Sequence, residues 1–319
     1  MADALVAPPV AVTAGLIAIS LIAVSSKKVS SSQRDDLLPL MGVMGAFVFA
    51  AQMINFSIPG TGASGHIVGG VLLASILGPW AAFITLCSVL IIQCLVFADG
   101  GLMALGCNMI NMAAMSCIVA YPLIFRPIVG KSSSKGRIMI ASVLACTVGL
   151  ELGALLLTVE TELSGITALP VGDFLKFMLP IHLVIGICEG FATGLVICFI
   201  SSYKADMLYN VVENESTVNP AVNSKRRKKV LVGFLILTAV MAVGFTWIAS
   251  TNPDGLEWSI FNVTGSTELG PSKAPPTAIL PDYSSTLSGV IGGLITIVFI
   301  WAVSSIIFRK RKVHVRKDV

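Results

Sequence analysis

Few side chains in this sequence can do chemistry, and most of those that can sit where chemistry is expensive. His182 and Glu189 lie seven residues apart inside a long apolar run, which places them on one face of a helix. Glu151 and Gln93 are embedded in other apolar runs. An ionisable group at membrane depth is costly and marks a functional site by default. A mutually satisfied structural pair is the competing reading for His182 and Glu189, and a structural role likewise competes for Glu151. The segment Ile58-Pro-Gly-Thr-Gly-Ala-Ser-Gly-His-Ile-Val-Gly-Gly70 sets five glycines around one imidazole, His66. Glycine permits unusual backbone angles and close approach, so such a loop can cradle a phosphate or hold a metal-binding histidine. A phosphate loop needs a following Lys and a strand–loop–helix setting, and neither is present. A metal-binding imidazole in a tight loop therefore fits better than a phosphate cradle, with a purely structural histidine as the alternative.

Other chemistries find no residues. Gly130-Lys131-Ser132 resembles the end of a Walker A motif, but Phe125 stands where its first Gly should be. Catalytic triads, paired-Cys zinc motifs and dinucleotide fingerprints are absent from the sequence. The seven cysteines fall in or beside apolar segments and are odd in number, which argues against a disulfide framework. The chain is not expected to be an enzyme or an ATPase by itself.

The elements that must position these residues follow from composition. Of 319 residues, 55% are hydrophobic and only 12% charged, about half the charge of a soluble domain. A cytosolic enzyme, a secreted disulfide scaffold and a disordered regulator are excluded. Runs long enough to span a bilayer, about 17 to 25 residues, predict helices near 9–26, 37–56, 80–97, 103–125, 138–159, 178–203, 230–250 and 286–308. The short, Gly-rich 64–78 is expected to be a ninth element, either a helix inside the bundle or a re-entrant piece. With nine crossings and the N-terminus outside, 19 of the 21 Lys and Arg fall in cytoplasmic pieces, against only six of the 17 acids. That asymmetry is the positive-inside signature, and it accounts for the net charge of +4 without nucleic acid. The run Met1-Ala-Asp-Ala-Leu has no Lys or Arg before the first apolar segment, so it is expected to be a retained helix start and not a signal peptide. Small residues at four-residue spacing, Gly186, Gly190 and Gly194 and again Gly149 and Gly153, predict close helix packing.

The expected architecture is an all-α polytopic membrane protein: a bundle of about seven helices over 1–203, a basic cytoplasmic linker over 204–229, and a two-helix transmembrane hairpin over 230–319. The hairpin encloses a Pro-, Ser- and Thr-rich outside loop at 251–285.

Long motifs carry a resemblance. Phe47-Val-Phe-Ala-Ala-Gln-Met-Ile-Asn-Phe56, the His66 loop, Leu77-Gly-Pro-Trp80, Phe97-Ala-Asp-Gly-Gly101 and Leu105-Gly-Cys-Asn108 resemble the CbiM/NikM family. These are the substrate-capture components of energy-coupling factor (ECF) transporters, importers of the ABC type, for cobalt and nickel. His182-Leu-Val-Ile-Gly-Ile-Cys-Glu-Gly190 is similar to a later family motif, and Asn252-Pro-Asp-Gly-Leu-Glu257 to the signature of the small CbiN/NikN (PDGLE) component. The resemblance implies capture of Co(II) or Ni(II) from outside an inner membrane, with no permanently bound cofactor and cobalt slightly preferred. It implies a CbiQ/NikQ-like transmembrane coupling subunit and CbiO/NikO-like ATPases as partners.

In the family the ion is held by the free N-terminal amine, an amide nitrogen, the imidazole of a second-position histidine and that of the loop histidine. Such a square-planar N₄ set suits Ni(II) or Cu(II) and can accept Co(II). Carried over residue by residue, this assigns Met1 and His66 to the ion. His66 would bind as neutral imidazole, so uptake should weaken at acidic pH. Here position two is Ala2, and the histidine expected there is missing. The resemblance suggests a start assigned two residues late; if not, Asp3 or the Cys107 thiol would have to substitute. Cys107, Asn108, His182 and Glu189 are further pocket or relay candidates, and Asp254 and Glu257 mark an accessory loop near the entrance. Two other classes compete. One is an ion-coupled secondary transporter with His182, Glu189 and Glu151 as a proton relay. The other is a vitamin-capturing ECF subunit, which would need a larger aromatic-lined pocket.

Overall fold

The structure, a computed structural model, describes residues 1–32, 37–130, 134–167, 169–204, 207–209, 220–244, 247, 249–267 and 286–315. Among these, the chain forms ten helices and one short hairpin. In order they are α1 (Pro8–Ser30), α2 (Leu37–Gln52), β1 (Phe56–Ile58), β2 (Ala63–Gly65), α3 (Gly70–Leu77), α4 (Pro79–Phe97) and α5 (Leu105–Val129). Then come α6 (Lys135–Ser164), α7 (Val171–Lys204), α8 (Pro220–Gly244), α9 (Gly255–Thr264) and α10 (Thr286–Val315). Six of them, α1, α4, α5, α6, α7 and α10, are long and apolar enough to cross a membrane. The all-α polytopic expectation holds.

Helix starts follow local rules. Pro8 and Pro9 open α1, where the missing N–H costs nothing, and Lys27 and Lys28 sit in its last turn, where cations suit the helix dipole. Pro79 opens α4 directly after Gly78, whose φ of +87° lets the chain reverse from α3 into α4 within one residue. The segment expected as a ninth crossing divides in two. Its beginning is part of the β1–β2 hairpin, and its end is α3, eight fully buried residues. At 1.5 Å per residue α3 spans about 12 Å, well short of a hydrocarbon core of about 30 Å. It is therefore a half-helix inside the bundle. Non-helical backbone at such a level is tolerated only when protein surrounds it, and β2 is buried throughout.

The core sits around α2, α3 and α4. In the most apolar stretch of α4, 78% of residues are buried, against 17% for α1; α4 is the central post and α1 a lipid-side wall. The glycine spacing does what it promised. A methyl group at Gly186 would lie 2.7 Å from the Thr147 Cα, and one at Gly190 would collide with the Val143 backbone, so α7 lies directly on α6. Gly153 makes the same close approach to the Asn111 carbonyl of α5.

Two boundaries differ from expectation. The helix expected from 230 begins at Pro220, so the basic run Lys225–Lys229 is helical and lies within α8. Proline suits a first turn, and Lys and Arg are good helix formers. The expected loop 251–285 contains α9, capped at Asp254. Residues 205–206 and 210–219 of the expected linker and 268–285 of that loop lie outside the described residues. The helices α8 and α10 pack along α2: the Phe47 and Phe234 rings meet edge to face at 5.2 Å, and Ile300 fills the space left by Gly45.

Candidate functional site

His66 follows a hairpin in which Phe56 pairs with Gly65, Ser57 with Ser64 and Ile58 with Ala63. The backbone after it is held from three helices. The N–H groups of Val68 and Gly69 donate to the two oxygens of Glu189 on α7, at 3.1 and 2.9 Å. The Val68 carbonyl accepts from Gln52 Nε2 of α2 at 2.8 Å, and Gln52 Oε1 in turn accepts from Gln93 Nε2 of α4 at 2.6 Å. Gly69 adopts φ of +78°, and a methyl group there would meet Val48 at 2.9 Å. These partners satisfy the buried backbone groups that a loop at this depth would otherwise orphan, at a cost of about 1–3 kcal/mol each.

The chain start is threaded against the loop before α5. The Met1 carbonyl accepts from the Gly101 N–H at 3.0 Å and from Asn108 Nδ2 at 3.4 Å, and Asp3 Oδ1 accepts from the Ala104 N–H at 3.0 Å. Leu5 and Val6 are buried just behind.

These two segments meet at a cavity of about 120 Å³, whose polar lining includes Met1, His66, Asn108, Asn111, His182 and Asp254. His66 Nδ1 is buried without a hydrogen-bond partner among the described residues. His182 Nδ1 lies 2.7 Å from the Met178 carbonyl. A carbonyl only accepts, so Nδ1 carries the proton and Nε2 keeps its lone pair. Asp99, just past α4, carries a carboxyl that reaches solvent yet is crowded by protein. That desolvation raises it above the usual carboxylate range, while the His66 imidazole and the α-amino group pull it down. All three groups therefore share one electrostatic neighbourhood.

The mouth of the cavity is covered by α9 and the residues leading into it. The Ser64 N–H and hydroxyl donate to the Pro253 and Asn252 carbonyls at 2.8 Å, Trp258 Nε1 donates to the Thr61 carbonyl at 2.9 Å, and the Phe177 and Trp258 rings meet edge to face at 5.7 Å. Gly255 rests on the His182 imidazole, where a methyl group would lie 3.0 Å from Cε1.

Of the residues singled out from sequence, Met1, His66, Asn108, His182 and Asp254 are brought to this cavity. The others are not. Cys107 is fully buried in the cluster that holds Leu5, its thiol is hydrogen-bonded with the Glu160 carboxyl, and it does not line the cavity. Asp3 is engaged with Ala104. Glu189 serves the loop backbone, and Glu257 closes a capping box in which the Glu257 N–H donates to Asp254 Oδ1 and the Asp254 N–H to Glu257 Oε2. Among the described residues no hydrogen bond joins His182, Glu189 and Glu151, and one Glu151 oxygen is buried without a partner. Sequence reading passed over Asn111, Glu160, Gln52 and Asp99. The isolated amides in apolar runs were the available signal, since a polar group at that depth needs a reason. Among the described residues no three His, Cys, Asp or Glu side chains converge into a metal cluster.

Residues 1–207 match the family described as cobalt uptake substrate-specific transmembrane region, CbiM. The chain belongs to the CbiM family. Residues 228–309 match the PDGLE domain, so a CbiM region is followed here by a second one. The chain is 32% identical over 305 residues to a protein of Archaeoglobus fulgidus named as a fused nickel transport protein, NikMN, covering 91% of this chain and 94% of that one. It is 28% identical over 174 residues to a protein of Methanocorpusculum labreanum named as a cobalt transport protein, CbiM 1, covering 54% and 74%. A crystal structure of a truncated transition metal transporter superposes with a TM-score of 0.56 at 31% identity, covering 63% of this chain and 98% of that chain. This CbiM protein is thus a multi-pass membrane protein of a transporter family and not an enzyme.

Proposed function

We propose that this chain captures a divalent transition-metal ion from outside the cell for import. The observation that carries the reading is the meeting of the threaded chain start with the clamped His66 loop in one small cavity. The Met1 amine and His66 Nδ1 are the ligands we assign, with the first amide nitrogen beside them. Nitrogen donors of this kind suit Ni(II) and accept Co(II). We favour nickel over the slight preference for cobalt drawn from the motifs, because the relative that matches the chain along 91% of its length is named for nickel.

On this reading the importer is of the ECF type. A CbiQ/NikQ-like coupling subunit and CbiO/NikO-like ATPases reorient the capture bundle, with the N-terminus outside and the C-terminus in the cytoplasm. The Lys and Arg distribution supports that orientation. Asp254 and its helix α9 would govern entry from above.

Calorimetry of the purified full chain with Ni(II) and Co(II) at neutral pH tests the capture site. Saturable binding that is lost in His66→Ala is expected. Absence of binding by either ion, or binding unchanged in His66→Ala, would overturn it.

A further inference from the structure

Asn111 is 6% exposed and lines the cavity. Its Nδ2 donates to Glu160 Oε2 at 2.7 Å. A carboxylate only accepts, so this bond fixes which end of the amide is nitrogen. The other end, Oδ1, is buried and has no donor among the described residues. Both restraints on Asn111 come from α6: Glu160 holds the amide, and Gly153, seven residues earlier on the same face, lets α6 press onto the Asn111 backbone. The side chain is thus locked in place with one open acceptor. A buried acceptor left without a donor is a standing cost unless something supplies the donor.

The chain start lies in the same cavity and carries N–H groups of the kind this acceptor lacks. Met1 lines the same cavity, its carbonyl is held by Asn108 one helical turn before Asn111, and Glu160 lies in the electrostatic field of the α-amino group. Once an amine has released its proton and coordinated an ion, it retains two N–H groups, and the ion polarises them into stronger donors. Groups that hydrogen-bond to a metal ligand orient its lone pair and raise its affinity.

We propose that Asn111 is a positioning residue for ion capture: its Oδ1 accepts a hydrogen bond from the metal-bound α-amine of Met1 and aims the amine lone pair at the ion. The inference rests on the capture site described above and adds to it a residue that touches the ligand and not the ion. The amide is neutral, so Asn111 holds the amine without competing for the positive charge. Glu160, one bond further out, anchors the amide.

The test uses the purified full chain with Ni(II), reading affinity by calorimetry and the ligand-field absorption band by visible spectroscopy. Asn111→Leu keeps the volume and removes the acceptor. It should weaken binding about ten- to a hundredfold and shift the band, while the metal-free protein, relieved of one orphaned acceptor but with Glu160 short of one donor, unfolds within a few degrees of the parent. Glu160→Gln keeps an acceptor for Asn111 Nδ2, and its affinity should stay within about threefold of the parent. Equal weakening in Glu160→Gln and Asn111→Leu would overturn the proposal, because it would assign the anchor to the Glu160 charge. So would an Asn111→Leu protein with parental affinity and spectrum, or one whose affinity falls only as its metal-free stability falls. Parental binding that His66→Ala abolishes but Asn111→Leu spares defeats this inference alone, whereas absence of parental binding defeats the capture site itself.

Discussion

The two segments that meet in the cavity are held in opposite ways. The His66 loop is locked from three helices: Glu189 takes two of its N–H groups, Gln52 takes a carbonyl, and Gln93 steadies Gln52. The chain start has lighter restraints, two hydrogen bonds on the Met1 carbonyl and one on the Asp3 side chain. On the proposed reading, one ligand would be carried on a fixed platform and the other on the chain start. On that reading, a site that must bind an ion and later give it up would gain from such a division, because the platform keeps its geometry while the more lightly held segment yields first.

The comparison can be broken from either side. Removing the platform's imidazole has the largest expected effect: His66→Ala should cut Ni(II) affinity by more than a hundredfold, read by calorimetry, since a lost ligand exceeds the 10–100-fold typical of outer-shell groups. Next, Glu189→Leu orphans two buried N–H groups at about 1–3 kcal/mol each, so the metal-free protein should unfold at a clearly lower temperature, with binding lost as well. Glu189→Gln keeps one acceptor and should recover part of that stability. A chain lengthened by Met-His at its start offers the missing imidazole on the free end and should tighten binding by at least about tenfold; unchanged affinity would show that the end cannot place it. The smallest change is Asp3→Ala, which removes one hydrogen bond worth about 1 kcal/mol and should weaken binding severalfold while lowering the melting temperature by no more than a few degrees. A drop in stability as large as that of Glu189→Leu would erase the distinction between platform and free end.

Much of the fold was legible in the sequence because bilayer length and charge asymmetry are strong constraints. The long apolar runs became helices, and the glycine rows at 149–153 and 186–194 became close contacts. What stayed hidden was contact across distance. Nothing local says that Glu189 serves the backbone of residues 68 and 69, some 120 positions earlier; an acid beside His182 reads more readily as its partner. The acids of Asn252–Glu257 read as an accessory loop, yet Asp254 and Glu257, three residues apart, also carry the spacing of a capping box, and the structure uses them to start α9. Asn111 was invisible for a simpler reason: one amide in an apolar run has no spacing to read. His66, by contrast, stood out because five glycines surround it.

The bonds between Ser64 and the Asn252–Pro253 backbone join residues 188 and 189 positions apart. During synthesis the hairpin edge around Ser64 must therefore wait, unpaired, until most of the polypeptide has left the ribosome. The partners that end this wait are side-chain and main-chain hydrogen bonds, not a covalent tie, so the continuity of the chain from α7 to α8 serves to raise the effective concentration of the two parts. A gene cut between these helices should still yield a working pair when both halves are made together, and assembly of the divided protein should depend on expression level where that of the single chain does not.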